Sequence, residues 1–254
     1  MNEIIAERFG NILRIQLNRP DKKNAMTSTM YIAMAEFLED AAKDGQIRVV
    51  LWHATGDSFC AGNDLEDFIK NPPGSGESPQ SRLIYALINF EKPLVAAVQG
   101  AAIGGGTTML AHCDFVYAGE SAKFQLPFVN LALVPEFGSS CLLPLRFGYV
   151  RAAELILLGQ SFGALRAAEL GLVTGVVPDQ KLLATATETA QTLAEKPAGA
   201  VQACKRLMKG AFREQLEQAV KFENQVFAER VRSEEAKEAF RAFFAKRKPA
   251  YHPQ

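Results

Sequence analysis

The order of the apolar segments constrains the fold of this chain more than any other feature. In the first two thirds, short stretches with strand character alternate with stretches of helical period, whereas helical stretches dominate the last third. The predicted strands are 4–8, 12–17, 49–54, 94–98, 115–118 and 173–177, and the main predicted helices are 27–43, 82–90, 142–147, 150–158, 165–170, 182–194, 199–208, 212–229 and 234–246. This order is typical of an α/β core, here 1–195, with a helical C-terminal region, 196–254.

Composition excludes several classes of protein. A chain of 254 residues that is 48% hydrophobic and 22% charged fits one or two folded domains. Because 28 basic and 28 acidic residues give a net charge of zero, no overall field attracts nucleic acid or an anionic membrane. The four cysteines are scattered without a CxxC pair, so we predict buried, reduced thiols and no metal site.

Targeting signals are weak along the whole chain. No run approaches the ~20 apolar residues needed to span a bilayer, and the start, MNEIIAERFGN, carries acids unlike a secretory signal. We therefore predict a cytoplasmic protein. The stretch NPPGSGESPQS (71–81) is rich in Pro, Gly and Ser, and we predict a mobile loop there.

Two glycine-containing turns are candidate binding sites for an oxygen atom. Gly104, Gly105 and Gly106 follow a predicted strand and open a helix, where free backbone N–H groups favour negative charge. FCAGNDL (59–65) is a second strand-to-helix turn about 40 residues earlier. If both turns lie at the same edge of a parallel sheet, their N–H groups could bind one carbonyl oxygen and stabilise an enolate.

Five motifs together resemble the crotonase family, the enoyl-CoA hydratase/isomerase superfamily. They are NRPDKKNAM (18–26), FCAGNDLEDF (59–68), KPLVAAVQGAAIGGG (92–106), CDFVYAGESAKFQLPFVNLAL (113–133) and GLVTGVV (171–177). The resemblance implies a spiral of β-β-α units, a helical trimerisation region, a homotrimer or a dimer of trimers, and an acyl-CoA thioester as substrate. It implies no cofactor apart from the CoA of the substrate, and no nucleic-acid or membrane partner.

The resemblance also implies roles for individual residues. Ala61 and Gly105 correspond to the two backbone donors of the family's oxyanion hole. The acyl-CoA groove would be lined at positions that this chain fills with Lys23, Asn24, Ala25, Asp64, Leu65 and Gly104.

The chain departs from the hydratase pattern at two positions. Hydratases of the family use two glutamates, and this chain has Thr108 and Phe128 in their places. Glu136, in LVPEFGSS, instead stands where peroxisomal-type Δ3,Δ2-enoyl-CoA isomerases carry a single glutamate. Its apolar neighbours should raise the pKa of its carboxyl and make it a better base. We therefore predict an isomerase with Glu136 as base.

Other readings of the same residues stay open at this point. Glu136 could be a surface acid or a partner of Arg146, and a hydratase, thioester lyase or hydrolase could recruit a carboxylate from elsewhere. A non-catalytic RNA-binding relative is a further alternative, which the balanced charge disfavours. We predict that His112 is a packed histidine and that Ser139 and Ser140 cap a helix.

Overall fold

The computed structural model describes residues 2–71 and 78–251. Most of the loop predicted at 71–81 falls on residues 72–77 and so lies outside the described residues. The strands are β1 (Ile4–Phe9), β2 (Ile12–Leu17), β3 (Val49–Ala54), β4 (Leu94–Val98), β5 (Ala101–Ile103), β6 (Phe115–Gly119), β7 (Lys123–Gln125), β8 (Phe162–Gly163) and β9 (Gly175–Val177).

The helices follow the predicted order closely. They are α1 (Ser28–Lys43), α2 (Leu65–Lys70), α3 (Pro79–Asn89), α4 (Gly105–Thr108), α5 (Ser139–Phe147), α6 (Tyr149–Leu158), α7 (Ala164–Glu169), α8 (Leu182–Glu195), α9 (Ala198–Gly210), α10 (Arg213–Arg230) and α11 (Glu234–Phe244), with four short 3-10 turns. In the described ranges, no helix has the length and apolar character to cross a bilayer.

A six-stranded sheet forms the centre of the molecule, in the order β1-β2-β3-β4-β6-β9. The first pair is an antiparallel hairpin and the remaining pairs are parallel. All five residues of β4 are buried, as expected for a parallel strand that is covered on both faces. On one face, α8 packs Leu182 and Ala186 against Val49 and Leu51. The predicted α/β core is therefore confirmed.

A second sheet contains three short strands in the order β5-β7-β8. The chain passes from the large sheet to the small sheet twice, each time within a few residues: β4 is followed by β5, and β6 is followed by β7. Gly100 makes the first of these turns, where its φ is +54° and an added Cβ would lie 1.8 Å from the Asp57 carbonyl oxygen. Two successive strands followed by a helix give the β-β-α unit of the predicted spiral.

The C-terminal helices share the main hydrophobic core. Leu216, Val220 and Phe227 of α10 and Phe240 of α11 belong to the same buried cluster as Trp52 of β3. The cysteines are all free, as predicted, and Cys60 and Cys113 are buried. Cys141 is half-buried and Cys204, on α9, is exposed, so the prediction of burial is wrong for these two residues.

Candidate active site

A cavity of about 390 Å³ lies between the two glycine turns, the loop before α5 and the C-terminal helices. Most of its wall is apolar, and Glu136 is the only carboxylate among the described residues that line it. The lining residues are Ala61, Gly62, Asn63, Leu65, Phe68, Ile103, Gly104, Gly105, Gln125, Pro127, Phe128, Asn130, Leu131, Leu133, Glu136, Phe227, Ala239, Ala242, Phe243, Arg247 and Pro249. The volume suits a small-molecule ligand.

The two oxygens of Glu136 have different surroundings. The side chain is buried, and Oε2 accepts hydrogen bonds from Gln80 Nε2 at 2.5 Å and, more weakly, from Asn63 Nδ2 at 3.5 Å. Oε1 has no hydrogen-bond partner among the described residues. It lies against Gly105, where an added Cβ would be only 2.8 Å away. One oxygen is thus held by the protein and the other is left for a ligand.

Burial raises the pKa of Glu136 to about 7, and the hydrogen bonds from Gln80 and Asn63 oppose part of this rise. The charge of Glu223 raises the pKa of Glu136 slightly further. A carboxyl group with a pKa near neutrality can both accept and release a proton at physiological pH. The alternative interpretation of Glu136 as a surface acid is wrong, because the side chain is buried. Arg146 is not its partner, because that guanidinium donates to the Ala111 carbonyl.

Replacing Glu136 with glutamine is expected to stabilise the fold at pH 8 and not at pH 5. The folded-state pKa of about 7 lies above the ordinary value of 4.5, so stability is lost as pH rises through the folded pKa. Glutamine removes that loss, which we place at about 2–3 kcal/mol. Thermal unfolding of both proteins at the two pH values measures the effect, with the exposed Glu120→Gln as control. Equal melting temperatures at pH 8 would contradict it.

The three glycines of the run serve different purposes. Gly104 has a φ of +53°, and Gly105 begins α4 with an N–H that has no acceptor among the described residues. Gly106 is needed for packing, because an added Cβ would lie 2.5 Å from the Cys60 carbonyl oxygen. The run therefore combines close packing at Gly106 with a free donor at Gly105, which lines the cavity beside Glu136.

At the other turn, the structure contradicts the prediction for Ala61. Its N–H donates to the Lys23 carbonyl at 3.0 Å and is therefore used within the fold. Two residues later, the N–H of Asn63 has no acceptor among the described residues, and Asn63 lines the same cavity as Gly105. Gly62, with a φ of +92°, turns the backbone between the two. The sequence shows that a turn exists here but not which N–H it leaves free.

The other residues predicted for the acyl-CoA groove are divided between the cavity and its surroundings. Leu65 and Gly104 line the cavity. Asp64 instead caps α2 and forms an ion pair with Arg19 at 2.7 Å. Lys23, Asn24 and Ala25 lie outside the lining, and the role of Lys23 and Ala25 in CoA binding stays a prediction. Asn24 is fully buried. Its side-chain oxygen accepts from the Arg19 N–H, and its NH₂ group donates to the Thr55 and Ser58 carbonyls. These hydrogen bonds contradict a contact between the Asn24 side chain and a ligand.

Three residues near Glu136 were not predicted from the sequence: Tyr31, Asn63 and Gln80. Tyr31 of α1 donates its hydroxyl to Asn63 Oδ1 at 2.6 Å, and Asn63 in turn faces Glu136. Burial raises the pKa of Tyr31 well above its ordinary value, so its hydroxyl remains a neutral donor. Tyr31 could have been noticed in the sequence, because it places a hydroxyl group on a helix face that is otherwise apolar. Gln80 gave no signal, because it lies in the low-complexity stretch.

The turn that follows Glu136 is held by hydrogen bonds to side chains of other elements, His112 and Glu223. His112 is packed as predicted, and its Nε2 lies 2.7 Å from the Phe137 carbonyl oxygen. Burial lowers the pKa of His112 to about 3, so the neutral ring donates to that carbonyl. The predicted serine caps are wrong, because Gly138 occupies the N-cap of α5 and neither serine caps it. Glu223 of α10 accepts from the Gly138 and Ser140 N–H groups instead.

The two positions where the family's hydratases carry glutamates present no charge here. Thr108 is fully buried and its hydroxyl lies 3.3 Å from the Gly104 carbonyl oxygen. Phe128 contributes its apolar ring to the cavity wall. Among the described residues, the cavity wall therefore carries a single candidate base.

Comparison with known proteins agrees with this architecture. A family model described as "Enoyl-CoA hydratase/isomerase" matches residues 7–254. The enoyl-CoA hydratase EchA19 of Mycobacterium tuberculosis is 36% identical over 98% of this chain and 96% of its own length. Enoyl-CoA delta isomerase 2 of Rattus norvegicus is 33% identical over 97% of this chain and 64% of its own length.

A solved structure is similar over the whole chain. The enoyl-CoA hydratase/isomerase of Pseudoalteromonas atlantica T6c superposes with a TM-score of 0.94 at 42% identity, covering 99% of this chain and all of that one. The sequence match and the shared fold lead to the same assignment. This chain belongs to the enoyl-CoA hydratase/isomerase family.

Proposed function

We propose that this protein is a Δ3,Δ2-enoyl-CoA isomerase in which Glu136 is the single base. The observation that carries the proposal is the state of Glu136, which lines the cavity: one oxygen is held by Gln80, and the other lies beside Gly105 and has no partner among the described residues. Moving a double bond by one position needs one group that removes a proton and returns it. No second carboxylate is required, and none lines the described cavity.

In the proposed mechanism, Oε1 of Glu136 removes a proton from C2 of a 3-enoyl thioester. The electrons of the C2–H bond pass into a dienolate, whose negative charge develops on the thioester oxygen. The same carboxyl group then returns the proton to C4, which leaves the double bond between C2 and C3. Proton and charge balance without a metal or a redox cofactor, so CoA enters only as part of the substrate.

The two free N–H groups are the proposed stabilisers of the dienolate. Asn63 and Gly105 line the cavity, and neither backbone donor has an acceptor among the described residues. Fixed donors of this kind are most effective where charge develops, because they need no reorganisation during the reaction. Apolar residues such as Leu133 and Phe128 exclude water and strengthen the interaction.

Hydratase activity is the alternative, supported by hydratases among the similar proteins. A hydratase must orient and deprotonate a water molecule, for which Glu136 would be the only carboxylate in the described cavity.

We also propose a cytoplasmic homotrimer or dimer of trimers. Exposed apolar side chains support self-association; they include Tyr149, Val150, Leu157, Leu207 and Met208.

Incubation with 3-enoyl-CoA and 2-enoyl-CoA in parallel separates the two functions. We expect the first substrate to be converted to 2-enoyl-CoA, and hydration of the second to be slow by comparison. Chromatography of the CoA esters measures both reactions, with Glu136→Gln as the matched control protein. Rapid formation of 3-hydroxyacyl-CoA from 2-enoyl-CoA, without migration of the double bond, would overturn the isomerase proposal in favour of the hydratase.

A further inference from the structure

Glu223 is a buried carboxylate for which the proposed mechanism has no use. It lies in the middle of α10, is 6% exposed, and does not line the cavity. Its Oε2 accepts from the Gly138 N–H at 2.6 Å and its Oε1 accepts from the Ser140 N–H at 2.8 Å. A charged side chain is costly to bury, so a carboxylate spanning two backbone donors of one turn indicates a specific task.

The turn that Glu223 holds is strained and begins directly after the base. Phe137 and Gly138 both have positive φ values, +61° and +68°, and a bulky residue such as Phe137 rarely adopts this conformation. Because Gly138 has no side chain, α5 lacks the usual cap from its own sequence. Glu223 supplies that cap from another helix, while His112 donates to the Phe137 carbonyl.

The same helix also forms part of the cavity wall. Phe227 lies one helical turn after Glu223, on the same side of α10, and it lines the cavity. Thus α10 contacts both the ligand space and the turn that carries the base. A shift of the turn by a fraction of an ångström would move Oε1 relative to a bound substrate.

We propose that Glu223 is a positioning residue for Glu136: its carboxylate caps α5, fixes the 136–140 turn and so aims Oε1 at the substrate. This inference rests on the proposed function for the direction of the proton transfer. The positioning itself concerns this chain's own residues and can be measured without turnover.

Glu223 also acts on Glu136 through its charge. The titratable groups that face Glu136 are Tyr31 from α1, Cys60 from the glycine turn and Glu223 from α10, while His112 lies behind Phe137. Of these, the charge of Glu223 raises the pKa of Glu136. Burial raises the pKa of Glu223 itself to about 7, and hydrogen bonds from the Ser140 side chain and from the Ser140 and Gly138 N–H groups oppose that rise. Removing the charge should therefore let Glu136 lose its proton at lower pH.

Glu223→Gln tests the proposal. An amide offers one oxygen, so its NH₂ group must face one of the two N–H donors, and the turn loses a hydrogen bond. We expect kcat to fall by roughly 10- to 100-fold with KM changed less than about twofold, as for a misplaced catalytic group. We also expect the Glu136 carboxyl to titrate at lower pH by ¹³C NMR of protein labelled in glutamate, with its signal assigned by Glu136→Gln.

Two further variants separate positioning from general loss of stability. Leu182→Ala removes a buried side chain of α8 that packs against Val49 and Leu51 of β3, so it should lower the melting temperature without changing the Glu136 titration. Glu223→Asp keeps the charge but reaches less far, so it should lower kcat while leaving the Glu136 titration close to that of the wild type. It also replaces the glutamine variant if that one does not fold.

The two proposals fail in different ways. An unchanged kcat in Glu223→Gln would overturn the positioning role, even if the Glu136 titration shifts. The absence of isomerase turnover in the wild type would overturn the proposed function. In that case hydrogen exchange at the Gly138 and Ser140 amides still decides on Glu223, since faster exchange confined to this turn in Glu223→Gln supports the role and unchanged exchange overturns it.

Discussion

Glu136→Gln is expected to lower isomerase turnover by about 10²- to 10⁴-fold, the range typical of a lost general acid–base group. Glutamine has nearly the same shape, and its carbonyl oxygen can still accept from Gln80. The position of the proposed base atom Oε1, however, becomes an NH₂ group that cannot take a proton from carbon. The variant should therefore fold and bind ligand normally while the chemical step is lost.

Binding and pH dependence complete this test. The Kd for a saturated acyl-CoA should change little, because the cavity wall around Glu136 is intact. In the wild type, kcat/KM should fall as pH drops below about 7, since the base must be deprotonated and its pKa is raised to about 7 by burial. Isothermal titration and initial rates from pH 5 to 9 measure both quantities. Turnover by Glu136→Gln at the wild-type rate would refute the role of the base.

Much of the fold could be predicted because its long elements carry strong patterns. VVLWHA and LVAAV are apolar runs of strand length, and β3 and β4 coincide with their predicted bounds. The small sheet was missed, because β5, β7 and β8 are two or three residues long and show no periodicity. The position of β5 inside a glycine-rich turn obscured it further.

The candidate site was predictable where chemistry depends on residue type, and less so where it depends on backbone direction. A lone glutamate among apolar residues indicated a buried carboxylate, and the structure buries Glu136. The free donor at Asn63 instead of Ala61 depends on the φ of Gly62, which sequence patterns do not give. Gln80 and Glu223 reach the site from 56 and 85 residues away from their partners, so only the tertiary structure brings them there.

Gly105→Ala is expected to reduce isomerase activity by roughly 10²- to 10³-fold, comparable to the loss of an oxyanion-hole donor. The backbone N–H would remain, yet the added Cβ would lie 2.8 Å from Glu136 Oε1 and 3.3 Å from the Tyr31 hydroxyl. Glu136 is buried and its other oxygen is held by Gln80. The side chain therefore cannot move away from the added methyl group without displacing Oε1 from the substrate. The methyl group would also occupy space beside the donor that the thioester oxygen needs.

Gly199→Ala is the matched control for this substitution. Gly199 lies in the first turn of α9, where an added Cβ meets no atom within 4 Å, so the change should leave activity unaltered. Initial rates with 3-enoyl-CoA, together with the Kd for a saturated acyl-CoA, separate loss of catalysis from loss of binding. Wild-type rates in Gly105→Ala would show that Oε1 and this N–H do not share one reaction site. A fall in rate confined to Gly105→Ala would instead tie the free carboxylate oxygen and the free amide to the same substrate atoms.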